Sequence, residues 1–264
     1  MPTPAEVAAA AIASLPGMTP SRLACVLARW PDPLQAARAV SEGRTGEALA
    51  GPEDRRGPLA AQWSGKLDLA GVERTLARRG TRIWVTGADD FPPEVQEPGG
   101  PAVLFVEGDH PEVVDRPRVA IVGTRAATPH GLADAHELGA HLAAHGVTVV
   151  SGMAIGIDTA AHEGARSASG CPVGVVATGL DIVYPQRNVR LFDAVRRHGV
   201  LMGENPFGTR PEPPRFPVRN RIIAALADVL VVVEATARGG ARITAEWALH
   251  YGRPVLALPG SRRN

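Results

Sequence analysis

Lysine is nearly missing from this chain: Lys66 stands alone among 264 residues, and every other fixed cation is arginine. Lys66 is followed by Leu67, and position 60, where a phosphate-cradling G-x-x-x-x-G-K-[ST] loop needs glycine, holds Ala60. A pyridoxal Schiff base in the core is excluded for the same want of lysine. The arginine bias has two readings, the codon usage of a GC-rich genome and selection for guanidinium chemistry. Cysteine is scarce too. Cys25 and Cys171 lie far apart in no metal-ligand spacing, as free thiols of a cytosolic protein would. Aromatics make up only 4%. No apolar run approaches the ~18 residues that span a bilayer. The Ala-rich stretch 5–15 contains Glu6 and has no basic flank, which makes it a poor signal peptide. A cytoplasmic protein without membrane contact is expected. Excess charge of one sign is also lacking: the net is +1, so any anion site is local rather than spread over the surface.

A length of 264 residues accommodates one large domain or two unequal ones. Residues 5–41 read as short helices, interrupted at Leu15-Pro16-Gly17-Met18 and restarted at Pro31-Asp32-Pro33. The piece LPGMTPSRLACVLARW has the pattern of a helix–hairpin–helix, although no basic residue adjoins Gly17; a plain helical packing module is the other reading. Residues 42–66, rich in Gly, Pro and charge, read as a linker. The division is therefore 1–66, a small helical domain with its linker, and 67–264. A helix is predicted over 67–79 with Gly80 as its cap, then extended runs at 82–86 and 102–107.

From there apolar runs and helical segments alternate. Strands are predicted at 119–122, 147–150, 173–177, 200–202, 229–233 and 254–258. Thr128 caps the first intervening helix with Pro129 at its first position, Leu132, Ala135, Leu138 and Leu142 form its apolar face, and Gly146 ends it. This alternation predicts an α/β fold with a doubly wound, mainly parallel sheet. The chain stops at Asn264, soon after the last strand, where such a domain normally packs another helix; a truncated C-terminal end is expected.

The strand ends carry the chemistry. They read Gly123-Thr124-Arg125, Ser151-Gly152, Thr178-Gly179-Leu180-Asp181, Gly203-Glu204-Asn205 and Glu234-Ala235-Thr236. Ligands of open α/β sheets sit outside these carboxyl ends. A dinucleotide site is excluded, because Gly-Thr-Arg replaces G-x-G-x-x-G and Ser151-Gly152 replaces the ribose-binding acid. No G-x-S-x-G elbow exists. Anion binding is what remains. Thr124 and Arg125 donate to phosphate oxygens, while Gly123 lets the backbone approach. Gly152 and Gly156 flank a loop whose helix amides attract anions, tight turn geometry being the alternative. Asp158 and His162, four apart on one helix face, suit a cap or an intrahelical hydrogen bond better than a metal pair. Arg187 and Asn188 follow a Tyr184-Pro185 turn, placed for a backbone phosphate or simply solvated. In Phe216-Pro217-Val218-Arg219-Asn220-Arg221, an extended segment sends the two arginines to opposite sides and Asn220 caps the following helix. Phe216 is either a platform for a base or a core anchor.

The strings VGTR, SGMAIGIDTAAHEGA, TGLDIVYPQRN, GENPFGTRPEPPRFPVRNRIIA and VVVEATARGGARITAEWAL occur in the order found in the DNA-processing protein A family, DprA or Smf, which the chain resembles over about residues 80–264. The N-terminal part is more loosely similar to a sterile-alpha-motif or helix–hairpin–helix domain. The resemblance implies an extended Rossmann fold that binds single-stranded DNA without known catalysis and without a cofactor. It also implies homodimers that protect incoming strands in natural transformation and help load RecA. Arg125 is then the foremost phosphate ligand, Ser151, Gly152 and Gly156 line the neighbouring loop, Arg187 holds a position often basic in the family, and Arg219, Asn220 and Arg221 complete the pocket. The chain departs from the family pattern at Arg238-Gly239-Gly240-Ala241-Arg242, where Ser-Gly-Ser/Ala is common. It also stops before the winged-helix domain that many members carry. A rival on the same fold is a nucleoside-monophosphate phosphoribohydrolase of the Lonely-guy kind. Its P-G-G-x-G-T-x-x-E loop is approximated by Gly239-Gly240, Thr244 and Glu246 at altered spacing.

Overall fold

The computed structural model describes residues 1–46, 49, 62–97, 99–236 and 239–259. Its strands are β1 (Arg82–Val85), β2 (Val103–Glu107), β3 (Arg118–Val122), β4 (Thr148–Ser151), β5 (Val173–Val175), β6 (Val200–Gly203), β7 (Val229–Val232) and β8 (Val255–Ala257). They form one eight-stranded sheet in the order β1-β2-β6-β5-β4-β3-β7-β8. β1 pairs antiparallel with β2, and β2 with β6; all other pairs are parallel. The chain steps outward from β3 through β4 and β5 to β6, which α7 (Val189–His198) precedes, then returns to β7 on the other side of β3. Strand order thus reverses between β3 and β7, which marks the expected ligand crevice.

Because side chains alternate along a strand, β3 serves two layers at once. Ile121 faces α5 (Pro129–Ala144) and α6 (Ile157–Ser167), together with Ala135, Val149, Ile157 and Ala161. Ala120 and Val122 face α8 (Arg215–Leu226) and α9 (Gly240–His250), together with Ile222, Leu226, Ala241 and Ala248. On α5, Thr128 caps as predicted, its Oγ1 accepting from the Gly131 amide at 3.1 Å. The predicted apolar face is narrower than the sequence implies: Ala135 is buried and Leu138 and Leu142 partly so, but Leu132 is 38% exposed. The reason is the close approach of α6. A Cβ at Gly139 would stand 2.4 Å from the Ala161 carbonyl, and one at Gly164 2.0 Å from that of His136. The contact therefore runs through small residues, leaving the leucine at the first turn outside it.

Ahead of the sheet lie α1 (Pro4–Ala13), α2 (Pro20–Arg29) and α3 (Pro33–Ser41), each opened by a capping side chain (Thr3, Thr19, Asp32) and a proline. Gly17, at φ 72°, turns α1 into α2. α4 (Leu69–Arg79) stops at Gly80 in the left-handed region, φ 65°. These helices share an apolar cluster with the sheet, running from Ile12 through Trp63 and Leu76 to Ile83, Phe105 and Leu201. Trp63, read in the sequence as part of a linker, is fully buried, and its indole donates to the Pro16 carbonyl at 2.9 Å. Most of the rest of that stretch (47, 48 and 50–61) lies outside the described residues. Positions 260–264, where a truncated end is expected from the sequence, also lie outside them. Among the described residues no helix is long and apolar enough to cross a membrane.

Candidate functional site

A crevice of about 580 Å³ opens at the carboxyl ends of β3 and β7, where the strand order reverses. Its floor is Val122 and Gly123; one wall is the start of α8 with Phe216, Arg219, Asn220 and Ile223; the other is the start of α9 with Gly239, Gly240 and Thr244. A second cavity of the same volume lies between α5, α6 and the 187–188 turn, lined among others by His136, Gly156, Thr159, Arg187 and Asn188. Arg125 lines both, and a small notch beside Tyr184 and Phe216 as well. The structure therefore gathers Gly123, Thr124, Arg125, Phe216, Arg219 and Asn220 at one cavity, and Gly156, Arg187 and Asn188 at its neighbour.

The segment from Phe216 to Arg221 is helical, not extended. Pro217 falls in the first turn of α8, where amides have no intrahelical partner, so the missing N–H costs nothing. For the same reason Asn220 is no cap; Pro214 holds that position. Two residues along a helix stand about 200° apart, so the arginines still diverge. Arg219 turns inward at 5% exposure. Its guanidinium donates to the Gly152 carbonyl at 2.6 Å, to the Val175 carbonyl, and to Asn220 Oδ1 at 3.2 Å. Arg221 leaves the crevice altogether. It is buried against Glu204 in a bidentate pair of 3.1 and 2.6 Å, with Nε on the Gly99 carbonyl at 2.9 Å. The expectation that it completes the pocket is corrected accordingly. Asn220 bridges α8 to the Gly240 carbonyl at 3.2 Å.

Other arginines are likewise committed to the fold. Arg79 and Arg196 hold the buried carboxylate of Glu107, and Arg118 pairs with Glu94 and Asp228. Arg125 and Arg187 differ: both are exposed and, among the described residues, neither has an ion-pair partner. Arg125 lies over the Phe216 ring, 5.1 Å from its centroid, and that ring packs against Tyr184 at 5.5 Å. Phe216 is thus half-buried at the crevice mouth rather than anchored in the core.

The amides leading into α5 and α6 are already taken by the protein's own carboxylates. Asp158 accepts from the Gly152 and Ala154 amides at 3.2 and 3.3 Å, and the Ile157 amide donates to the Thr124 carbonyl. Glu234 takes the Thr128 amide and hydroxyl, both at 3.0 Å. The predicted amide cradle at 152–157 is therefore closed, and its glycines answer to packing. A Cβ at Gly152 would lie 2.7 Å from Asp158 Oδ2 and 2.8 Å from Arg219 Nη2; Gly156 has φ +83° beneath the Thr124 carbonyl. Gly123 has Ile157 2.4 Å from where its Cβ would be. Ser151 is buried too, tying β4 to β3 through the Ile121 carbonyl at 2.6 Å, and does not line the crevice. Asn188 pins the loop at the Met153 carbonyl and Thr159 hydroxyl. Thr124 keeps a hydroxyl proton to donate, since its Oγ1 accepts from the Ala126 amide at 3.2 Å. α9 begins at Gly239 without a side-chain cap.

Beneath this surface lies a buried charged layer. Burial raises the Asp158 carboxyl pKa against the pull of Arg219. Burial also lowers Arg219 to about 10, partly offset by Asp158, with repulsion from Arg125 adding to the fall. Where a cap or intrahelical hydrogen bond is expected of this pair, Asp158 instead takes the loop amides, and neither ring nitrogen of His162 has a partner. Its pKa falls to about 4, first through burial and then through Arg219, while the nearby Ser151 carbonyl, outside hydrogen-bonding geometry, offsets part of this. The folded state keeps the ring neutral where the unfolded chain protonates, so this contribution is complete above about pH 6.5 and is lost as pH falls toward 4. The expected loss is about 3 kcal/mol. Asp158 shifts with the opposite sign, so the check is a difference: urea stability against pH for the wild type and His162→Leu. The variant is expected to lose the extra acid slope; parallel curves would contradict the assignment.

The rival hydrolase arrangement does not form. Glu246 is exposed on α9, paired with Arg242 at 2.9 Å, and does not line the crevice, while Thr244 is buried with its hydroxyl on the Gly240 carbonyl. Tyr184, Asp158 and Thr236 line the crevice without having been singled out as site residues. For Tyr184 the signal was present, as one of only two tyrosines, beside the basic 187–188 turn.

An open α/β sheet whose strand order reverses beside a crevice, with Arg125 and the Phe216 ring at its mouth, defines a Rossmann-like fold. The description DNA recombination-mediator protein A fits residues 82–264, and the chain belongs to that family. A protein named DprA in Mycobacterium tuberculosis is 41% identical over 250 residues, covering 89% of this chain and 62% of that one. The X-ray structure of DprA from Streptococcus pneumoniae superposes with a TM-score of 0.81 at 30% identity, covering 98% of this chain and 88% of that chain. A Helicobacter pylori DNA processing protein A, described for its single-stranded DNA binding mode, gives 0.62 at 28% identity over 70% of this chain and 83% of its own. The chain spans 44% to 62% of the lengths of the first curated relatives it matches.

Proposed function

We propose that the protein binds single-stranded DNA by its backbone, without reading sequence and without catalysing a reaction, at the surface that Arg125 shares between the two cavities. The observation that carries this is the pair Arg125 and Arg187, exposed and free of ion-pair partners among the described residues, beside the half-buried ring of Phe216. Guanidinium groups hold phosphates in a forked geometry, and a ring face accepts any base. Thr124 adds a hydroxyl donor. Arg219 and Asn220 hold the crevice walls in place, and Gly123, Gly152 and Gly156 let the loops pack closely enough to form it. The single-strand description of the Helicobacter relative supports the choice of polymer. In the cell the role fits cytoplasmic strand handling in transformation or recombination: protecting incoming DNA and passing it to RecA, as a homodimer that presents two such surfaces.

Fluorescence anisotropy of labelled oligo-dT at several salt concentrations, with unlabelled duplex as competitor, tests this reading. Neutralising about four phosphates gives a log–log salt slope of about −3. Duplex should compete poorly, because its bases are stacked away from the rings. Equal competition by duplex, or affinity indifferent to salt, would overturn the proposal.

A further inference from the structure

Tyr184 is the aromatic side chain that the fold leaves outside. Trp63, Phe91, Phe105 and Phe192 are fully buried, Trp84 and Tyr251 nearly so, and Trp30, Trp247, Phe207 and Phe216 are half-buried; Tyr184 alone is exposed, at 41%. An exposed ring needs an explanation when it stands at a cavity mouth rather than scattered on the surface. Tyr184 lines both the large crevice and the notch formed with Arg125, Ala154, Ile155 and Phe216. Its centroid is 5.5 Å from that of Phe216, with the planes tilted by 45°. Its hydroxyl makes no hydrogen bond with any described residue.

We propose that Tyr184 is a nucleobase-stacking residue, forming with Phe216 a two-ring platform that receives unstacked bases while Arg125 holds the adjoining phosphate. The inference rests on the single-strand reading above and adds the base as a recognised group. The geometry favours this division of labour. The two ring planes differ by 45°, so their faces point in different directions and suit successive bases splayed from the strand, not a stacked helix. Arg125 occupies a position near the Phe216 ring from which a guanidinium reaches a phosphate and still flanks a base. A platform of this kind accepts every base, since each has a π-face, and it distinguishes a DNA strand from polyanions lacking bases.

The test is a cycle between protein and strand. Wild type, Tyr184→Ala and Tyr184→Phe are titrated against oligo-dT and against an oligomer of the same length built of abasic sites, at several salt concentrations. The proposal expects Tyr184→Ala to bind oligo-dT about 10-fold more weakly with an unchanged salt slope, and Tyr184→Phe to bind as the wild type does. It also expects all three proteins to bind the abasic strand alike. Unchanged affinity of Tyr184→Ala for oligo-dT would overturn it. So would an equal loss on both strands, which would make the ring a support for the loop. Wild-type protein that binds neither strand would overturn the single-strand reading itself. Thermal unfolding of the variants confirms their fold, and an exposed ring is expected to leave it intact.

Discussion

Replacing Arg221 with alanine is expected to destabilise the fold by about 3–5 kcal/mol while leaving the salt dependence of strand binding unaltered. The size follows from what the guanidinium leaves behind. Glu204 is buried, accepts two hydrogen bonds from Arg221, and is already raised in pKa by burial against the pull of that partner. Without it, burial acts unopposed, and the carboxyl either stays charged and unpaired or takes up a proton. The Gly99 carbonyl loses its donor as well. Because the cost lies in the orphaned acid, converting both Arg221 and Glu204 to leucine should recover much of it. Urea unfolding of the two variants measures this. An Arg221→Ala protein with native stability and impaired binding would return Arg221 to the site.

Arg125→Ala should show the opposite profile. Its side chain is exposed and contributes packing only through the Phe216 face, so stability should change by less than about 1 kcal/mol. Strand affinity should fall about 10- to 100-fold, the worth of one charge-assisted contact to phosphate, about 1.5–3 kcal/mol. The loss should be the same for oligo-dT, oligo-dA and mixed sequences, because phosphate contacts position the strand and do not read it. Loss confined to one base composition would point to a contact with base edges instead.

Much of the fold was legible because the strands from β3 to β7 announce themselves by short apolar runs closed by small or polar residues. The βαβ alternation leaves a parallel, doubly wound sheet as its natural solution. The mixed edge at β1 and β2 was visible as two extended runs without an intervening helix. The crevice lining was legible at Arg125, whose exposure follows from its place after a strand tip, and at Phe216, which stands at the crevice mouth. It was less legible at Arg219 and Arg221. A string of Arg, Asn and Arg reads as a phosphate cradle, but only the fold brings Gly152 and Val175 to one guanidinium and Glu204 to the other. The loop amides ahead of α6 fail as an anion site for a similar reason. Asp158, in the first turn of that helix, reaches back to the Gly152 and Ala154 amides, which spacing alone does not disclose. Trp63 shows the limit of composition: Gly, Pro and charge around it suggest a linker, yet one indole buried under α1 fastens the helices to the sheet.

The measurement that bears most directly on the central claim is the log–log salt slope of oligo-dT binding for Arg125→Ala beside the wild type. If the Arg125 guanidinium neutralises one phosphate, the variant binds more weakly and its slope is shallower by about 0.7. Identical affinity and identical slope would show that the strand, if bound, does not cross this surface.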